Sequence, residues 1–183
     1  AEKPDWYGPF WVSTTLVLLT AVIENYSHYL NDKYISTLSD QDASVYHETY
    51  SPVQKLASAA LVLWGYITVV PLILHFVLMF SSVETRDLAL NICLYGYFLT
   101  IFIPAAILCA IPNQTLRWIV VMAAFASSGT SLAICLFKLT AQASLHIALI
   151  VVSGGLAAHF ILSMILKVNY LSLDNSYWEF HIF

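Results

Sequence analysis

Residues 88 to 110, LALNICLYGYFLTIFIPAAILCA, make a run of twenty-three amino acids without a charged side chain. At about 1.5 Å of rise per residue, a helix of that length covers the roughly 30 Å of a bilayer's hydrocarbon. The stretch reads as a transmembrane helix, closed by Ile111 and Pro112. It also carries Tyr95, Gly96, Tyr97 and Pro104, which a plain lipid anchor does not need. Glycine and proline weaken a helix, and tyrosine hydroxyls seek partners. Such a helix is expected to pack against others from the same chain.

Composition says where the others come from. Of 183 residues, 60% are hydrophobic and 10% charged, with mean hydropathy +0.76; soluble domains carry about 25% charged residues. The chain is an integral membrane protein in contact with membrane lipids, of a size for one helical bundle and one domain over residues 1–183. A net charge of −4 and seven scattered Lys and Arg leave no basic patch for nucleic acid or for anionic headgroups, so neither partner is expected. Cys93, Cys109 and Cys135 all lie in apolar runs, where thiols act as small hydrophobes and define no disulfide framework. No basic segment precedes the first apolar run, so no cleaved signal peptide is expected.

Four further apolar runs flank the central one. The first spans about 9–30; Pro9 suits a first helical turn, and Trp6, Tyr7 and Trp11 look like an interfacial aromatic belt. An acidic loop, 31–53, follows. The second span covers 56–80, with Pro71 as the expected kink. The central run is the third span, and 117–137 and 145–166 are the fourth and fifth. The predicted fold is therefore an all-α bundle of five transmembrane helices, with its termini on opposite sides. Lys and Arg divide too evenly between the two faces to fix orientation.

Chemistry is sparse. Glu24 and His28, one helical turn apart near a membrane boundary, could share a proton or bind a metal, although a polar interface is also within their reach. His75 and His159 lie deeper and are expected to hydrogen-bond between helices, with proton transfer or ligation as the less common role. No zinc spacing, no catalytic triad or nucleophile elbow and no phosphate loop occurs, so no metal, no cofactor and no enzyme is expected. Ala123, Ser127 and Ser131, with Gly129, and then Gly154 and Ala158, are spaced for close helix approach, within the chain before between chains. Asn25 and Asn113 head glycosylation sequons, one inside a span and one against the membrane surface, and neither is a good acceptor.

Asp5-Trp6-Tyr7-Gly8-Pro9 directly before the first of five spans, and Tyr95-Gly96-Tyr97 with Pro104 in the third, resemble the paired signatures of the Yip-domain family, the Ypt/Rab-interacting membrane proteins. Ile111-Pro112 followed by Arg117-Trp118 is similar to the branch containing the vertebrate Golgi members, and the resemblance covers about residues 4–166. It implies a multi-pass protein of the Golgi and endoplasmic reticulum with a cytosolic N-terminus and a lumenal C-terminus. It further implies association with Rab/Ypt small GTPases and with other Yip-domain proteins, as hetero- or homo-oligomers, in vesicle-mediated transport. Read from the residues alone, Asp5 caps the first helix, Gly8 permits the turn, and Gly96 admits a neighbouring helix between Tyr95 and Tyr97, which point to different faces. Two other classes stay open. A channel, transporter or proton-linked carrier requires Glu24, His75 and His159 to share a polar cavity. An accessory subunit of a larger complex would dock through its apolar faces and the aromatic tail at 177–180.

Overall fold

The structure, a computed structural model, describes residues 4–38, 51–81, 87–141 and 143–172. Most of the acidic loop, the turn at 82–86 and the aromatic tail at 177–180 lie outside the described residues. Helix α1 runs Tyr7–Leu38, α2 Pro52–Phe80, α3 Leu88–Phe98, α4 Phe102–Leu108, α5 Gln114–Leu139 and α6 Leu145–Asn169. A 3₁₀ turn, Leu99–Ile101, joins α3 to α4, and the three pieces form the third crossing. Among the described residues five helical segments are long and apolar enough to span a membrane, which bears out the five-span bundle.

The element ends correct the expected boundaries. The apolar part of α1 ends at Leu30, yet the helix continues to Leu38 where a loop is predicted from Asn31. The sequence NDKYISTL contains no proline or glycine to stop it, so polarity there marks the exit from the membrane and not the end of the helix. Helix α2 starts one turn early because Ser51 caps it, its hydroxyl accepting from the Gln54 N–H at 3.5 Å, with Pro52 in the first turn. Asn113 caps α5 in the same way, its Oδ1 accepting from the Leu116 N–H at 3.0 Å, which moves that start from Arg117 to Gln114. In the third crossing Pro104 lacks an N–H, and its ring conflicts with the carbonyl of Thr100; the chain tightens to 3₁₀ geometry there. Ser128 of α5 donates to the Phe98 carbonyl at 2.5 Å, where the regular ladder ends.

The third crossing is central, packing against α1, α2 and α5, while α6 lies against α5 and α2. Leu16, Leu63, Ile67, Leu99, Phe102, Leu132 and Leu136 form the interior. In lipid such burial gains little from leaving water, so cohesion rests on dispersion, close approach and hydrogen bonds. The close approach differs from the expected stripe: Ala123, Ser127, Ser131 and Gly154 face outward, and Gly129 and Gly155 are the buried ones. Their free Cα faces lie against Leu156 and against Leu136. Helix α1 also starts low, because Pro9 packs on Gly96, eight residues or about 12 Å of helix below the start of α3.

Candidate functional site

The two signatures meet. Asp5 uses both oxygens: Oδ1 accepts from the backbone N–H of Tyr7 at 3.1 Å, and Oδ2 accepts from the Tyr97 hydroxyl at 2.5 Å. Gly8 lies under the Tyr97 ring, so close that a methyl group there would overlap the hydroxyl. One residue on, Pro9 presses into the space left by Gly96, where a Cβ would stand 2.5 Å from the proline Cβ and 3.1 Å from its Cα. Each small residue of one motif thus receives a ring of the other. Tyr7, exposed, stacks edge-on with Trp11 at 6.0 Å between ring centroids. Tyr97 is 43% exposed and Tyr95 only 1%, so the two tyrosines do point to different faces.

The Asp5 carboxyl is held below its ordinary value of 3.8, first by the Tyr97 hydroxyl and then by the N–H groups of Tyr7 and Gly8. A group whose pKa is depressed on folding stabilises the fold above its unfolded value and loses that contribution as the pH falls through the folded one. The α1–α3 contact is therefore expected to be pH-independent from neutrality to about pH 5 and to weaken below the ordinary carboxylate range. Melting temperature followed against pH checks this. Asp5→Asn should remove the acid-sensitive limb, and a variant that melts with the wild-type pH profile would exclude the contact as its source.

Tyr95 points inward, into a second cluster. The hydroxyl of Tyr66 and Nδ1 of His159 share a hydrogen bond at 2.7 Å, fully buried, and the His159 ring is enclosed by Phe102 at 5.7 Å and Phe125 at 6.0 Å. Tyr66 and Tyr95 rings lie 5.7 Å apart. His159 thus takes the interhelical role expected of it. Tyr95 also floors an apolar cavity of about 300 Å³ between α2 and α6, bounded by Leu74, Val77, Val151 and Ala158. Pro104 acts through the backbone of the third crossing.

The other polar candidates do not converge. Glu24 pairs with Lys55 at 3.0 Å, His159 meets Tyr66, and His75 stands on α2 itself, half-buried beside Phe76. Along α2 these levels, 55, 66 and 75, are separated by roughly 16 and 13 Å of helix. The shared site of Glu24, His75 and His159 that a conduit requires is absent from this arrangement. His28 is half-buried one turn from Glu24. Among the described residues no group of three His, Cys, Asp or Glu side chains is placed to hold a metal. Sequence reasoning missed Tyr66, and it took Arg117 and Lys167 for span ends although the fold buries both almost completely.

The helices and the interlocked motifs define a five-span α-helical membrane protein whose first and third crossings are fastened at one point. The Yip1 domain matches residues 1–168, and the chain belongs to the Yip1-domain family. Among curated proteins it is similar to Protein YIPF1 homolog of Dictyostelium discoideum, 36% identical over 172 residues, covering 93% of this chain and 46% of that protein. It is also similar to Protein YIP5 of Schizosaccharomyces pombe, 23% identical over 181 residues, covering 93% of this chain and 67% of that protein. The chain spans less than half the length of the first relative. No solved structure matches it.

Proposed function

We propose that this protein is a non-enzymatic membrane scaffold in vesicle-mediated transport at the endoplasmic reticulum and Golgi, associating with Rab/Ypt small GTPases and with other Yip-domain proteins. Membership of the Yip1-domain family supports this reading, and the observation that carries it is the lock between Asp5-Tyr7-Gly8-Pro9 and Gly96-Tyr97. That lock fixes where the chain emerges from the bundle and leaves Trp6, Tyr7 and Trp11 on the outer surface beside it. A rigid, aromatic-ringed exit suits a platform that presents the preceding segment to a protein on the N-terminal face, which this reading places in the cytosol. Tyr95 and Pro104 serve the platform from within.

The test uses the full-length protein in native-like membranes, pulled down with Rab proteins held in defined nucleotide states. Enrichment over an unrelated five-span protein is expected, and so is its decline when Gly8→Ala displaces the Tyr97 hydroxyl. Equal recovery from the control membrane protein would refute the reading. Protease access to each terminus of a tagged protein checks the orientation.

A further inference from the structure

Between α2 and α6, in the half of the bundle nearest the N-terminal face, lies the cavity of about 300 Å³ that Tyr95 floors. Small residues make it. On α6, Gly154, Gly155 and Ala158 leave space that larger side chains would fill, and nothing lies within 4 Å of a Cβ built at Gly154. Leu74, Val151 and Tyr95 are buried at the bottom, while Ile73, Val77, Ile150 and Gly154 are exposed at the rim. The cavity is therefore a cleft whose mouth is continuous with the surface that the bundle presents to lipid. Left empty, it would forfeit dispersion contacts along every wall, with hydrocarbon standing at its mouth.

Shape and polarity name the occupant. The cleft runs from Val70 to Val77 along α2 and from Ile150 to Ala158 along α6, about 10 to 12 Å of helix, within the roughly 15 Å depth of one hydrocarbon leaflet. Since a cavity of about 150 Å³ holds a benzene ring, this one takes roughly a dozen carbons, enough for most of one chain and too few for the fused rings and tail of a sterol. The Tyr95 hydroxyl is buried behind Gly155, 3.4 Å from a Cβ placed there, so the floor meets an occupant with ring carbons. Polar groups crown the upper end: His146, exposed, stands one turn above Ile150 on the same face of α6, and Ser81 follows Val77 by one turn of α2. We propose that this cleft binds a single acyl chain of a glycerophospholipid from the leaflet on the N-terminal side, with the headgroup beside His146.

A phosphatidylcholine carrying a photoreactive diazirine midway along one chain, in vesicles with the full-length protein, tests this through the peptides it labels. Adducts are expected on 70–77 and 150–158 at several times the yield on Leu61 and Ile119, which are openly exposed. In Gly154→Leu the cleft labelling should fall about fivefold, because the new side chain takes the dispersion contacts of the guest, while Gly65→Leu keeps it. Should Gly154→Leu fail to fold, Ile150→Trp at the rim reads the same loss. Cleft labelling no greater than that of Leu61, or unchanged in a folded blocking variant, overturns the proposal. Displacement by added sterol and not by unlabelled phosphatidylcholine would assign the cleft to a ring lipid. Loss of labelling as the protein-to-lipid ratio rises would assign it to another protein chain, and either result overturns the acyl-chain assignment.

Discussion

Gly96→Leu is expected to lower the stability of the bundle by about 3 kcal/mol or to prevent its assembly, with Gly96→Ala showing a smaller loss of the same sign. The reason is geometric: the first atom of any side chain at 96 would stand 2.5 Å from the Pro9 Cβ and 3.1 Å from its Cα. Pro9 cannot swing aside, because its ring is closed on a backbone that Asp5 and Tyr97 hold from the other direction. Helices α1 and α3 must separate, and the Tyr97–Asp5 hydrogen bond then fails as well. Intrinsic propensity works the other way, since leucine is favoured over glycine in a helix by up to about 1 kcal/mol. Gly65 supplies the control, for nothing lies within 4 Å of a Cβ placed there. Melting in detergent, with the monodisperse fraction scored alongside, should separate Gly96→Leu from Gly65→Leu. Similar behaviour of the two would mean that the motifs merely adjoin.

His159→Ala is expected to cost about 2 to 3 kcal/mol, most of it from lost packing. Hydrogen bonds between membrane helices average about 0.6 kcal/mol, so losing the Tyr66 partner is the lesser part. The greater part is the hole left among Tyr66, Phe102 and Phe125, which now surround the imidazole. Aromatic-to-alanine changes in water-soluble cores cost about 3–5 kcal/mol, but that figure includes transfer from water, which lipid does not supply. His159→Phe keeps a ring and gives up the bond, so it should lose about 1 kcal/mol or less. Reversible unfolding in mixed micelles compares the two, and a His159→Ala protein as stable as His159→Phe would show that the cavity closes by relaxation.

The number and type of elements were legible because hydropathy alone marks a span, and caps such as Ser51 and Asn113 shift only the ends. Facing was not legible. A helix apolar on every side carries no stripe to point inward, so the small residues Ala123, Ser127 and Ser131 could be recognised as a set but not placed, and one step of about 100° turns them to lipid. The two signatures were visible as separate strings, and the opposite facing of Tyr95 and Tyr97 followed from helical spacing. Nothing along the chain says that Pro9 sits on Gly96 or that Asp5 reaches Tyr97, because the contacts join residues about ninety positions apart. Arg117 and Lys167 misled for a related reason: a charge at the edge of an apolar run reads as a terminus, and only the packed neighbours show that it has been enclosed.

The low seat of Pro9 against Gly96 bears on the surrounding membrane. On the N-terminal face α1 begins about 9 Å below the first residue of α3, so lipid beside this seam meets the rings of Trp6, Tyr7 and Trp11 and not a second helix end.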